Sequence, residues 1–176
     1  TTPTEPRPLR PEDIDWKNTS AWAEGGYYAR VFFNVAGREP NGIVQASEMR
    51  ALEQRLCREL AELRDDDGAP IPTEVCVPRD YYRETRGFPP DLMVYFDALR
   101  LRAIGSVGAG QITVTENDTG PDTCNHAWDG VFIMAGGPAP PRGRIEGAEI
   151  YDLTPTILSH FGISRPPGVL GRDWTK

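Results

Sequence analysis

The chain has 176 residues, of which 39% are hydrophobic and 26% charged, and this is the composition of an ordinary globular domain with a sizeable core. The formal net charge of −7 and the lack of a concentrated basic stripe argue against nucleic acid as a partner. No apolar run approaches the ~20 residues of a membrane span, so we expect no membrane partner either.

The three cysteines, Cys57, Cys76 and Cys124, are odd in number, widely spaced and without a C-x-x-C pair. This pattern argues against a disulfide framework or a structural zinc site. We expect free, buried or half-buried thiols in a reducing compartment, and we predict a cytoplasmic location. The sequence opens with neither an initiator Met nor a signal-peptide pattern, which predicts a processed product or a piece of a longer protein.

The first part of the chain predicts an arm, a strand and a long helix. Residues 1–17 are rich in proline and acidic groups, and we expect an extended N-terminal arm that lies on a neighbour. Aromatic and β-branched residues over 26–35 predict a strand, which a short return strand at 43–44 makes into a hairpin. A helix capped by Ser47 follows, because apolar residues recur at spacings of three and four. These apolar positions are Met49, Leu52, Leu56, Leu60 and Leu63.

The middle of the chain predicts several further strands. A short strand is expected near Val75, and another over the continuous apolar run 91–96. A glycine-rich loop at 104–110 leads into an alternating strand at 111–115, and an apolar strand follows at 131–135. The runs at 91–96 and 131–135 are typical of strands that are covered on both faces.

The last predicted helix spans residues 152–162. Thr154 is its expected cap, Pro155 suits the first helical position, and Gly162 suits the left-handed residue that ends it. A shorter helical turn is expected at 80–86.

Helices and buried strands are mixed along the chain, which predicts an α/β fold. We expect one α/β domain over residues 18–176. Whether residues 43–101 form an inserted α+β subdomain beside the main sheet is left open by the sequence.

One of only two histidines, His126, is the best candidate for chemistry. It ends a polar, turn-rich loop, and Asp118, Asp122 and Asp129 surround it in sequence. An imidazole at the mouth of a buried sheet is well placed to bind a metal. The alternative is a histidine that only forms hydrogen bonds within its loop.

Two other features have structural interpretations that we prefer. His160 lies inside the last predicted helix, where a positive charge near the C-terminus favours the helix dipole. The run Gly136-Gly137-Pro138 lacks the spacing of a phosphate-binding loop, so an ordinary turn is expected there.

Several runs together resemble the C-terminal portion of a type I phosphodiesterase/nucleotide pyrophosphatase of the alkaline phosphatase superfamily. They are AWAEGGYYAR (21–30), NVAGREP (34–40), NHAWDGVFIMAGG (125–137) and DLTPTIL (152–158), with Gly162-Ile163 and LGR (170–172) after them. The similarity covers almost the whole chain, and the histidine loop and the D-x-x-P-T-x-L helix are fairly specific as a pair.

The resemblance implies a partial alkaline-phosphatase-like α/β/α sandwich with a mixed sheet. Such enzymes hold two divalent metal ions, usually zinc, between Asp and His ligands, and a Thr or Ser attacks phosphorus. By this resemblance His126 matches the family's late histidine ligand, and the substrate is a phosphodiester or nucleotide.

The family's nucleophile, its early Asp ligands and its Asp-His-Gly motif have no match in this sequence. We therefore expect the C-terminal part of such a hydrolase, inactive alone, whose partner is a missing N-terminal catalytic portion. We also expect that this chain by itself holds no metal stably. Strands that lack their sheet partners leave open edges, which favours self-association.

Two alternatives stay open at this stage. The chain is part of a sulfatase- or phosphomutase-like member of the same superfamily, because the late histidine is shared broadly among its branches. Or it is a non-catalytic binding and interaction module, which its acidic charge and Pro-rich arm permit.

Overall fold

The computed structural model describes residue 3 and residues 5–116, 124–134 and 145–175. The chain divides into two compact units, Thr1–Asp129 and Gly130–Lys176. In the described part the protein is α/β, as predicted, with two antiparallel sheets and three α-helices. None of the described helices combines the length and the apolar character that crossing a lipid bilayer requires.

A four-stranded antiparallel sheet is the centre of the first unit. Its order in space is β2, β3, β5 and β4, so β2 and β4 form its edges. The elements of this unit are β1 Arg7–Pro8, β2 Ala21–Glu24, β3 Ala29–Phe33, α1 Met49–Ala61, β4 Thr73–Cys76, α2 Pro78–Tyr81, β5 Leu92–Phe96 and β6 Ser106–Val107.

One face of this sheet packs against α1 and forms the core. Ala29 lies opposite Val94 in the β3–β5 register, and alternate residues of both strands point the same way. Phe33, Leu92 and Val94 are at most 1% exposed, and Leu52 of α1 joins the same cluster. The helical spacing from Met49 onwards and the strand patterns at 26–35 and 91–96 therefore predicted the three elements that form this core.

The sheet is antiparallel throughout, whereas the resemblance implied a mixed sheet. The expected return strand at 43–44 makes only a single parallel bridge, from Val44 to Val35. The hairpin partner of β3 is instead β2, whose Ala21 pairs with Phe33. Sequence reasoning missed β2 because only four residues form it and half of them are exposed.

The N-terminal segment is hydrogen-bonded to other parts of the first unit. Strand β1 pairs with β6, so the expected loop at 104–110 contains a two-residue strand. The Arg7 guanidinium donates to both carboxylate oxygens of Asp13 at 2.5 Å, which anchors the segment to the turn that follows it. The predictions of an arm over residues 1–17 and of one α/β domain over residues 18–176 stay predictions.

Two predicted strands are wrong where the structure describes them. The segment 111–115 is irregular, and the N–H groups of Ile112 and Thr113 donate to the Asp66 carboxylate at 2.9 and 3.0 Å rather than to a neighbouring strand. Residues 131–134 are also irregular, with Val131 90% and Ile133 85% exposed. The last residue of that predicted strand, Ala135, lies outside the described residues.

The second unit is built around α3, Leu153–His160, which continues a 3₁₀ turn at Ile150–Asp152. The prediction of this helix is confirmed, and Gly162 follows it with φ of +66°. Its N-cap residue is Asp152, so Thr154 as the cap is wrong, and Pro155 sits at the third helical position. Proline is still tolerated there, because the first-turn N–H groups have no partner within the helix.

Helix α1, in contrast, begins one residue later than its predicted cap implies. Glu48 precedes its first residue, and the Glu48 carboxylate accepts the backbone N–H of Gln45 at 2.8 Å. Ser47 lies in the turn before the helix.

Candidate functional site

The imidazole of His126 lies stacked on the phenol ring of Tyr27. The two ring centroids are 3.8 Å apart and the ring planes meet at 26°. His126 is exposed, whereas Tyr27 is half-buried in the turn before β3. Within the described residues the two imidazole nitrogens make no hydrogen bond, and the contact that orients the ring there is its stacking on Tyr27.

The residue before the histidine is anchored by its side chain. The Asn125 amide donates to the backbone carbonyl of Leu99 at 2.5 Å. Leu99 ends a left-handed turn in which Asp97, Ala98 and Leu99 have φ of 47°, 52° and 68°. Three consecutive non-glycine residues in this region are costly, and such backbone persists where the surroundings hold it in place. The turn therefore presents a fixed acceptor to the histidine loop.

The Tyr27 ring has a second neighbour, which carries a positive charge. The guanidinium carbon of Arg102 lies 4.8 Å from the centroid of the Tyr27 ring, which is the geometry of a cation–π contact. Tyr27 is thus shared between an arginine and the candidate metal-binding histidine.

A further aromatic group lies on nearby elements of the same unit. Tyr28 contacts Tyr95 with ring centroids 5.1 Å apart, and Tyr95 contacts Trp128 at 4.9 Å. Burial raises the pKa of Tyr95 to about 12, so its hydroxyl stays protonated at neutral pH.

The other oxygen, nitrogen and sulfur donors of the loop are not gathered around His126 in the described part. Cys124 and Asp129 are both exposed. Asp118 and Asp122 lie outside the described residues. Among the residues that the structure describes, no group of three or more His, Cys, Asp or Glu side chains is placed to hold a metal ion.

No protein-family model matches this chain, and neither does any curated protein or solved structure.

The second histidine occupies the position that its sequence predicted. His160 is the last residue of α3, and its ring meets that of Phe161 edge-on at 5.2 Å. Its Nδ1 atom is shielded from solvent and has no hydrogen-bond partner. The run Gly136-Gly137-Pro138 lies outside the described residues.

A cleft of about 790 Å³ opens beside this site in the first unit. Arg102 and Cys124 both line it, together with apolar side chains from β5 and the segment that follows it. Sequence reasoning missed Asn125 and Arg102 as members of the site, and it did not connect Tyr27 with His126. The adjacency of Asn125 to His126 was a signal for one of them, but nothing in the spacing connects Arg102 with residue 27 or 126.

The cysteines partly follow the prediction. No disulfide joins the three cysteines; Cys57 is half-buried and Cys76 is buried, but Cys124 is exposed. Burial raises the pKa of Cys57 and of Cys76, which keeps both thiols protonated and unreactive.

Proposed function

We propose that this chain contributes one metal ligand, His126, to a metal-dependent hydrolase of the phosphodiesterase/nucleotide pyrophosphatase type. The observation that carries the proposal is the exposed imidazole of His126, stacked at 3.8 Å on Tyr27 and without an internal hydrogen bond in the described chain. A histidine that served only its loop would hydrogen-bond to it. The resemblance of the runs at 125–137 and 152–158 supplies the chemistry.

The proposal assigns the chain a partial site. Zinc in a catalytic site takes about three protein ligands and keeps one position open, so a pair of ions needs about six side chains. His126 fits as one of these, and the other ligands and the nucleophile would come from outside the described residues. By this proposal the chain alone is inactive, and its fold is part of an alkaline-phosphatase-like α/β/α sandwich.

The residues around His126 would serve the site in two ways. Stacking on Tyr27 fixes the plane of the imidazole, and the Asn125–Leu99 hydrogen bond holds the backbone next to it. Both reduce the conformational freedom that a ligand loses when it binds a metal. Two bound metal ions would stabilise the attacking and leaving oxygens of an in-line phosphoryl displacement.

The metal-ligand assignment is tested by paramagnetic broadening. The chain has only His126 and His160, so the ring-proton signals of the two are assigned with the single variant His160→Gln. We expect added Mn²⁺ to broaden the His126 signals first and to leave those of His160 sharp. Equal broadening of both residues, or broadening of neither, contradicts the assignment.

The activity is tested with bis(p-nitrophenyl) phosphate and added Zn²⁺ or Mn²⁺. The chain alone is expected to show no turnover above the metal-only blank, and metal-dependent turnover lost in His126→Ala would show that it carries a complete site. In the complete encoded polypeptide, His126→Ala should lower hydrolysis by about 100-fold or more, since even loss of a supporting residue costs 10–100-fold. His160→Ala is the matched control and should retain activity.

A further inference from the structure

Among the residues that the structure describes, the guanidinium of Arg102 has no counter-ion. Its Nε and Nη1 atoms are shielded from solvent and have no hydrogen-bond partner. In the described chain Arg102 forms no ion pair or hydrogen bond, and its only charge-stabilising contact is the Tyr27 ring at 4.8 Å. Buried polar groups in native proteins are almost always partnered, so a shielded cation without an acceptor calls for an explanation.

The other charged side chains that line the cleft among the described residues do not supply that acceptor. Arg100 also lines the cleft, but its guanidinium pairs with Asp97 at 2.5 Å. The Glu24 carboxylate pairs with Arg30 at 3.1 Å. Glu116 is exposed and forms no ion pair with Arg102 in the described structure. Of the two arginines that line the cleft among the described residues, Arg102 is therefore the one without an anionic partner.

The cleft around Arg102 has the dimensions and lining of a small-molecule site. Its volume of about 790 Å³ falls within the range of ~300–1,000 Å³ that is typical of ligand pockets. Apolar side chains form much of its wall, and they include Leu63, Ile71, Phe96, Ala103 and Ile104. A small number of polar groups among apolar walls is the usual arrangement for orienting a bound molecule.

We propose that this cleft binds a small organic anion. Its phosphate or carboxylate head group pairs with the Arg102 guanidinium, and its apolar body contacts Phe96 and Ile104. The planar guanidinium matches the oxygens of either head group, and the Nη2 atom, which is not among the shielded nitrogens, makes the first contact. This inference goes beyond the metal-ligand proposal and stands without it, because no metal takes part.

The binding test uses calorimetry in metal-free buffer with EDTA at constant ionic strength. The probes are phenyl phosphate, benzoate and inorganic phosphate, with phenol as the uncharged control. We expect saturable binding of phenyl phosphate or benzoate that is tighter than that of inorganic phosphate, and the tighter of the two identifies the head group. Binding of phenol as tight as that of the anions, or no saturable binding of any probe, overturns the proposal.

The residue assignment is tested with Arg102→Gln and the matched control Arg100→Gln. Charge-assisted hydrogen bonds predict an affinity loss of at least about tenfold for Arg102→Gln and a change within about twofold for Arg100→Gln. If Arg102→Gln does not fold, Arg102→Lys keeps the charge without the planar fork, and it should still weaken binding. Unchanged affinity in the folded Arg102 variant overturns the proposal. Because EDTA is present throughout, failure here leaves the Mn²⁺ result for His126 unaffected.

Discussion

The hydroxyl of Thr156 accepts a hydrogen bond from the backbone N–H of Trp174 at 3.0 Å, at a position that is 0% exposed. One turn earlier, Asp152 accepts the N–H of Arg172 at 2.6 Å and the indole N–H of Trp174 at 3.2 Å. Two polar side chains of the D-x-x-P-T run therefore hold the C-terminal segment against α3. The motif that suggested a hydrolase thus has a structural role within the second unit.

Thr156→Val should destabilise the second unit. Valine keeps the shape of threonine but leaves the Trp174 N–H buried without an acceptor, which costs about 1–3 kcal/mol. Thr154→Val is the matched control, because Thr154 is exposed on the same helix. Amide hydrogen exchange should show faster exchange at Trp174 only in the Thr156 variant, and equal effects of the two variants would contradict this role.

The contact between Arg7 and Asp13 should be visible in an acid titration. The Arg7 guanidinium lowers the pKa of Asp13 to about 2, from 3.8. A lowered pKa in the folded state means that the contact stabilises the segment above pH 3.8 and is lost as the pH falls towards about 2. Carboxyl ¹³C chemical shifts should give this midpoint, and Arg7→Gln should move it towards 3.8. A normal Asp13 midpoint in the unchanged protein would show that the N-terminal segment is not anchored.

Leu92→Ala should cost the first unit about 2–5 kcal/mol of unfolding free energy, because Leu92 is fully buried between β3 and α1 neighbours. Leu101→Ala serves as the control, since Leu101 is 37% exposed, and surface changes usually stay within about 0.5 kcal/mol. Urea unfolding of both variants provides the comparison. Similar losses in the two would mean that the β3–β5–α1 cluster is not the core.

The parts of the fold that the sequence predicted are those in which one pattern determines one outcome. Apolar residues at helical spacing from Met49 to Leu60 bury one face of α1, and the run 91–96 forms β5 at the sheet centre. Gly162 ends the last helix because its φ of +66° suits glycine. In each case the local preference and the tertiary environment agree.

The predictions that failed depend on partners that are distant in sequence. Residues 111–115 alternate as a strand does, but Asp66 supplies the acceptors for their N–H groups. Residues 131–134 are apolar enough for a buried strand, yet no described strand pairs with them. The antiparallel pairing of β2 with β3 could not be predicted from the sequence either, because register arises from long-range contacts rather than from composition.

The candidate site shows the same difference between features set by local sequence and features set by distant partners. His126 was predicted from its loop, because histidine is rare here and its chemistry is specific. Its stacking partner Tyr27 is 99 positions away and gave no signal of that role. Arg102 was missed for the same reason, because only the folded structure shows that no described residue pairs with its charge.

Replacing Tyr27 should release the His126 ring. In Tyr27→Leu the histidine protons should lose the ring-current shift of the stacked phenol and move towards their positions in free histidine. By the proposed function, Mn²⁺ affinity at His126 should also fall by about tenfold, as it does for other residues that orient a metal ligand. Tyr28→Leu is the control, because Tyr28 contacts Tyr95 instead. Unchanged His126 shifts in Tyr27→Leu would show that the stack does not persist in solution.

Alanine substitutions at two glycines of the second unit distinguish the effect of backbone strain from that of steric contact. Gly168 and Gly171 have φ of +86° and +93°, so alanine at either position is strained by about 1–2 kcal/mol. A Cβ atom at Gly168 would meet nothing within 4 Å, whereas one at Gly171 would lie 2.2 Å from the Tyr151 carbonyl oxygen. Gly171→Ala should therefore destabilise the second unit clearly more than Gly168→Ala.

The close approach at Gly171 places the chain so that the next residue, Arg172, can donate its N–H to Asp152. Moving the backbone at residue 171 should weaken the hydrogen bond from Arg172 to Asp152. This hydrogen bond is the largest cause of the lowered pKa of Asp152. Gly171→Ala should consequently raise the Asp152 midpoint in a ¹³C titration, while Gly168→Ala should leave it in place. An Asp152 pKa that is equal in both variants would show that the segment relaxes without moving Arg172, and the steric argument would then fail.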